Sequence, residues 1–175
     1  MTGFGQGRSP SVLAHGSKDT TMTNAPLTLR PACETDLFEI VEMLADDPLG
    51  GLREDLRAPL PEAYRAAFSA IESDSNQLLV VAERNGAIVG TLQLSYLPGL
   101  ARKGAWRGQI EAVRIAKDRR GGKLGEAMFA WAIDECRARG CTLVQLTTDK
   151  ARPNAHRFYD RLGFEPTHVG YKLNL

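Results

Sequence analysis

The sequence predicts an α/β fold of the α+β kind: a mixed, mainly antiparallel twisted central sheet flanked by helices on both faces. Three observations carry this expectation. The apolar pattern switches between strand-like and helical spacing in the order β-α-α-β-β-β-α-β-α-β. Asn85-Gly86 joins two of those strands with a strong hairpin signal. No segment repeats, so the elements must pack as one layered unit rather than as a solenoid.

The elements follow in order. Residues 1–25 are rich in Gly, Ser, Thr and Lys without sustained periodicity and read as a flexible leader, with a domain at 26–175 behind it. Leu27 to Arg30 alternates as a strand. Glu34 or Thr35 opens a helix in which Leu37, Ile40, Val41 and Leu44 share a face. Asp46-Asp47-Pro48 and Gly50-Gly51 end it, and a charged, irregular loop follows to Pro61. Pro61 then serves as a first-turn proline for a helix from Glu62 to about Ile71.

Gln77 to Glu83 and Ala87 to Tyr96 are the two strands of the hairpin. Pro98 to Gly108 is a basic, glycine-containing loop, and Gln109 to Ala116 is the third strand of this series. A helix from about Lys123 to Arg139 carries Leu124, Met128, Trp131, Ala132 and Cys136 at helical spacing, and Gly140 stops it. Leu143 to Thr147 is a strand, and Pro153 opens a short helix through Leu162. Phe164 to Leu175 is expected to supply a last strand or two.

Composition narrows the function class. A net charge of +1 gives no global field that would steer the chain to nucleic acid or to a membrane. No apolar run approaches the ~18 residues needed to span a bilayer, and no secretory signal opens the chain. A soluble cytoplasmic protein is the expectation. Cys33, Cys136 and Cys141 show no CxxC spacing, so neither a disulfide framework nor a zinc site is indicated, and buried reduced thiols are expected. His156 has no second ligand at a suitable spacing, so no metal is expected.

The most informative stretch is VRIAKDRRGGKLGE, Val113 to Glu126. A strand runs into a glycine-containing turn and the turn into a helix. At such a junction successive N–H groups lack internal partners and point outward together. The helix dipole adds about half a positive charge there. Lys117, Arg119, Arg120 and Lys123 add side-chain charge, which makes a seat for a pyrophosphate or similar anion. The stretch contains neither GxxxxGK[ST] nor GxGxxG, which argues against a nucleotide hydrolase or a dinucleotide dehydrogenase. A second stretch, TTDKARPNAHRFYDRLGF, sets Phe158, Leu162 and Phe164 as apolar anchors and puts Tyr159 on a neighbouring face.

Together the two stretches resemble the GNAT superfamily of N-acetyltransferases. The strand–RGGKLG–helix segment is similar to that family's acetyl-CoA-binding motif, and AHRFYDRLGF to its closing A-x-x-x-Y-x-x-x-G-F segment. There are two departures. Lys123 stands where the motif Q/R-x-x-G-x-G/A has its middle glycine. Arg152 stands where family members often carry Asn, so that either Asn154 substitutes or Arg152 contacts a coenzyme A phosphate.

The resemblance implies a V-shaped cleft where the Gln109–Ala116 strand leaves the Leu143–Thr147 strand. The pantetheine arm would extend along Val113, Arg114 and Ile115 like an added strand. The pyrophosphate would sit on Arg120, Gly121, Gly122, Lys123, Leu124, Gly125 and Glu126. Acetyl-CoA is the implied co-substrate, without a metal, and the acceptor a primary amine on a small molecule or peptide, attacking directly in a ternary complex. An amine of pKa ~10 is mostly protonated at neutral pH, a deficit of roughly 4 kcal/mol that a base must offset. Glu111 stands where some relatives hold that base; a salt bridge to a nearby arginine is its other reading. The N–H of Val113 or Arg114 would donate to the oxyanion. Tyr159 matches the residue that protonates the departing thiolate in many members. A homodimer is expected by base rate. Two rival readings stay open: a coenzyme-A-binding sensor without transfer, and a nucleic-acid contact through the basic loop.

Overall fold

The computed structural model describes residues 25–46 and 50–175. The expected leader lies outside the described residues except for Ala25, as do Asp47 and Pro48 of the expected helix stop. Five strands and four helices of regular length follow: β1 Thr28–Pro31, α1 Leu37–Ala45, α2 Glu62–Ser73, β2 Gln77–Arg84, β3 Ala87–Leu97, β4 Trp106–Ile115, α3 Leu124–Ala138, β5 Cys141–Leu146 and α4 Pro153–Arg161. The sheet runs β1-β2-β3-β4-β5. Its first three pairings are antiparallel and β4–β5 is parallel, which makes it mixed. The β2–β3 turn places Asn85 at φ 54° and Gly86 at φ 73°, the left-handed pair that a tight hairpin needs.

Strand alternation sorts the sheet into two faces. Leu92, Leu94 and Tyr96 of β3, with Val80, Ala82 and Ile110, pack against Met128, Phe129, Ala132 and Cys136 of α3. Phe158, Tyr159, Leu162 and Phe164 join that core from the α4 side. On the opposite face Leu79 meets Leu37 and Val41 of α1, Phe68 of α2 and Leu60. The expected helices on both faces are therefore in place, and Trp131 packs against the core as its period predicts.

Three expectations differ from the structure. Residues 101–104 of the basic loop form a turn, with Arg102 at φ 55° and Lys103 at φ 62°. Phe164 to Leu175 forms no strand; beyond Phe164 the segment is exposed, with Val169, Tyr171, Leu173 and Leu175 all solvent-facing. Alternation marks the face a strand would bury, but a strand also needs a neighbouring edge, and this segment takes none. Cys33 is exposed, not buried, while Cys136 is fully buried and its thiol is pushed up to about 11 by that burial and by Cys141 beside it.

One ion-pair network fastens the first strand. Arg30 donates to Asp36 at 2.7 and 3.1 Å and to Glu83 at 2.7 Å, while the Cys33 N–H adds a 2.8 Å bond to Asp36. Asp36 is buried. Its hydrogen bonds from Arg30, then from Cys33, hold its carboxyl at about 2, below the usual 3.8. A depressed carboxylate pKa stabilises the fold above its unfolded value, and that contribution disappears as pH falls from about 4 through 2. Asp36→Asn is therefore expected to lower unfolding free energy at pH 7 by on the order of 2 kcal/mol, and the difference from wild type should shrink as denaturation is repeated towards pH 3.

Candidate active site

The parallel pairing of β4 with β5 ends at Ile110–Leu146. Beyond it β4 continues for five more residues, Glu111 to Ile115, held by β3 on its other edge. Among the described residues no strand pairs with the other edge of β4 over that stretch, which is where the cleft is expected. A bulge lies there. Ala112 takes φ 52°, and the β3–β4 register shifts between Thr91 and Gln93. A left-handed alanine costs on the order of 1–2 kcal/mol, and the bulge turns the following residues relative to the paired part of the strand. Val113 and Ile115 lie along this edge, where the Val113 carbonyl accepts from Arg114 at 2.9 Å and the Ile115 carbonyl from a side chain of the turn that follows.

At the end of β4 a short turn over residues 117–119 leads into α3. The segment from Lys117 to Lys123 is solvent-exposed, and no side chain caps α3 at Lys123. Gly121 sits at φ 84°, with nothing within 4 Å of where a Cβ would stand, so only glycine follows this path at low cost. Lys123 precedes the helix with helical-side dihedrals (φ −80°, ψ 12°), so its presence at the motif's glycine position leaves the turn open. The amides that open α3 thus have no side-chain cap, which is the condition under which a helix start can take an anion. Gly125 has another role: a Cβ would meet the Phe158 ring at 3.2 Å, so its small size lets α4 lie close against α3.

The structure also uses Arg120 in a way the sequence does not suggest. Its Nε donates to the Ile115 carbonyl at 3.1 Å, and its terminal nitrogen to the Asp46 carboxylate at 2.7 Å and carbonyl at 3.0 Å. Lys117 approaches the same carboxylate at 4.0 Å. Arg120 thus ties the turn to the end of α1. Asp46 is a residue that sequence reasoning missed, because only the fold brings positions 46 and 120 together. Arg119 pairs with Asp118 at 3.0 Å.

Tyr159 lies on the α4 face turned to the core, in contact with Phe129, Phe158 and Phe164 at centroid distances of 5.6, 5.5 and 6.2 Å. Burial raises its hydroxyl above the ordinary value of 10, and the charges of Arg152 and Arg114 oppose that shift. Burial outweighs the two guanidinium charges, so the phenol stays protonated at neutral pH. The electrostatic influence of Arg152 and Arg114 on this hydroxyl is the second feature without a sequence signal.

Glu111 is on the other face of the sheet, opposite Gln93, and is exposed. It is open to water, and among the described residues no ion pair joins it to an arginine. Asn154 is exposed and accepts a bond from Arg157. The His156 ring bonds the Asp149 carbonyl at 2.9 Å. Among the described residues no group of three His, Cys, Asp or Glu side chains is placed to hold a metal, and no helix is long and apolar enough to cross a membrane.

Known proteins of similar sequence and shape agree with this geometry. Residues 39–164 match the sequence model of the acetyltransferase (GNAT) family. An aminoalkylphosphonate N-acetyltransferase of Salmonella typhimurium is 36% identical over 110 residues, covering 63% of this chain and 71% of that protein. A crystal structure described as a transcriptional regulator from Bacillus halodurans superposes with a TM-score of 0.83 at 47% identity, over 86% of this chain and all of that one. A putative acetyltransferase from Agrobacterium tumefaciens gives 0.74 at 29% identity, over 85% and 99%.

Proposed function

The chain belongs to the GNAT family of acetyltransferases, and on that premise we propose that it acetylates the primary amine of a small molecule by direct attack within a ternary complex. It is an acetyl-CoA-dependent N-acetyltransferase. The observation that carries the residue assignments is the open β4 edge leading into an uncapped, exposed helix start. Acetyl-CoA supplies an activated thioester when bound; the protein's residues do the rest. Val113 to Ile115 hold the pantetheine arm by main-chain bonds. The amides from Arg120 to Glu126 hold the diphosphate. The N–H of Val113 or Arg114 donates to the carbonyl oxygen as charge develops on it.

Tyr159 donates its proton to the departing sulfur, whose conjugate acid has pKa ~8.5 against ~10 for an ordinary phenol. Burial makes the phenol a still weaker acid, and the charges of Arg152 and Arg114 offset that only in part, so the role rests on the phenol being positioned where charge develops on the sulfur. Glu111, in water-accessible surroundings, takes the amine's proton directly or through a water. The acceptor is a small amine of the kind that the Salmonella relative's name describes. In this reading residues 1–25 are a leader to a cytoplasmic catalytic domain at 26–175. The exposed side chains of Val169, Tyr171 and Leu173 support a homodimer, which a monomer mass in sedimentation would remove.

The test is thiol release from acetyl-CoA against a panel of small amines, with calorimetry of acetyl-CoA binding. Arg120→Glu places a carboxylate against Asp46 and in the phosphate seat, so affinity for acetyl-CoA should fall about tenfold or more. Unaltered affinity would contradict the seat. The nucleic-acid alternative is disfavoured because Arg119 and Arg120 are already paired with Asp118 and Asp46. A gel shift with no acetyl-CoA binding would restore it.

A further inference from the structure

A row of polar side chains crosses the sheet in direct register, on the face opposite α3. Gln77 of β2 stands opposite Ser95 of β3, Ser95 opposite Gln109 of β4, and Gln109 opposite Gln145 of β5. The row is internally bonded. Ser95 donates to Gln77 at 2.7 Å, Gln93 donates to the same oxygen at 3.1 Å, and Gln145 donates to Gln109 at 2.7 Å. One residue pair further along, Gln93 faces Glu111.

Such a line is out of place in a covered sheet. Polar groups taken out of water cost on the order of 1–3 kcal/mol each when unbonded. On the α3 side the matching layer is apolar, with Leu94, Ile110 and Leu146 in the core or packed against it. On the α1 and α2 side, the apolar cluster takes in Leu79 of β2, and α1 lies against β3 and β4 as well. Gln93 stands directly opposite Leu79, and the row that starts at Gln77 runs across to Gln109–Gln145, one rung before the β4–β5 pairing ends. Each named bond uses one end of a glutamine amide. Among the described residues the other ends have no partner: an oxygen on Gln93 and Gln145, an NH2 on Gln77 and Gln109.

We propose that this polar row, and the Gln109–Gln145 rung above all, is the floor of the acceptor subsite, and that it selects a small amine whose remainder carries hydrogen-bonding oxygens. The proposal rests on the transferase reading and adds the class of acceptor. Glu111 lies two residues beyond Gln109 on the same face of β4, about 7 Å away along the strand. An amine presented to Glu111 therefore sets its own substituents, two to four bonds away, over the rung. The Gln109 NH2 donates to phosphonate, carboxylate or hydroxyl oxygens there, and the Gln145 oxygen accepts from a hydroxyl. An aromatic or aliphatic remainder would cover these amides without bonding them.

The experiment compares 2-aminoethylphosphonate, glucosamine and β-alanine with phenethylamine in steady-state thiol release, for wild type, Gln109→Met and Gln145→Met. Methionine keeps the length of the side chain and removes its polar ends. Wild type should prefer an oxygen-bearing amine. Each variant should raise KM for that amine about tenfold, with kcat, the KM for acetyl-CoA and the melting temperature nearly unchanged. Phenethylamine kinetics should stay as they were or improve. A wild-type preference for phenethylamine, or a KM indifferent to both substitutions, overturns the subsite while leaving the transferase standing. Thiol release with none of the amines, despite measured acetyl-CoA binding, overturns the transferase reading and the subsite with it.

Discussion

Tyr159→Phe should cut turnover by about a hundredfold or more, the scale expected for losing a positioned general acid, while acetyl-CoA affinity stays within about twofold. A hundredfold is ~2.7 kcal/mol of transition-state stabilisation. The substitution is a clean one because the ring is what packs: Phe129, Phe158 and Phe164 surround it at 5.5 to 6.2 Å, and phenylalanine preserves all three contacts. Only the hydroxyl, whose ionisation Arg152 and Arg114 favour, is removed. The thiolate would then leave without a proton from the protein. Steady-state kinetics with calorimetry separates the two effects. If kcat is unaltered, Tyr159 is a packing residue and another group, or water, protonates the sulfur.

The sequence carries much of this site in plain form, for a physical reason. Glycine at Gly121 and the uncapped start of α3 are local devices, readable from a dozen consecutive residues. So are the Asn85-Gly86 hairpin and the proline that opens α4. What stayed hidden depends on distant positions meeting. Asp46 reaches Arg120 across 74 residues of chain, and Gln109 meets Gln145 only once parallel register is known. The bulge at Ala112 has no local signal either, since alanine gains nothing from a positive φ. The segment after Phe164 fails in the reverse sense. Its apolar alternation is legible, but a strand exists only where an edge receives it, and that information lies outside the segment. Glu111 illustrates the same limit: its position on β4 was readable, its exposure was not.

The second large effect is on stability. Phe129→Ala should lower unfolding free energy by about 3–5 kcal/mol, which for a chain of this size is a drop of about 6–20 °C in melting temperature. Phe129 is 1% exposed and central to the aromatic cluster, at 5.5 Å from Phe158, 5.6 Å from Tyr159 and 6.0 Å from Phe164. Those three residues are the means by which α4 and the residues after it are held to α3. Truncation leaves a cavity that neighbours cannot fill, because Met128 and Ala132 are themselves fully buried beside it. The same ring also backs Tyr159, so activity should fall even well below the melting temperature, as the acid loses its fixed position. Phe129→Leu retains most of the volume and should cost about 1–1.5 kcal/mol, with turnover reduced far less. Thermal unfolding and kcat measured together distinguish the outcomes. If Phe129→Ala is destabilised yet turns over normally in the cold, the cluster holds the fold alone and the orientation of Tyr159 does not depend on it.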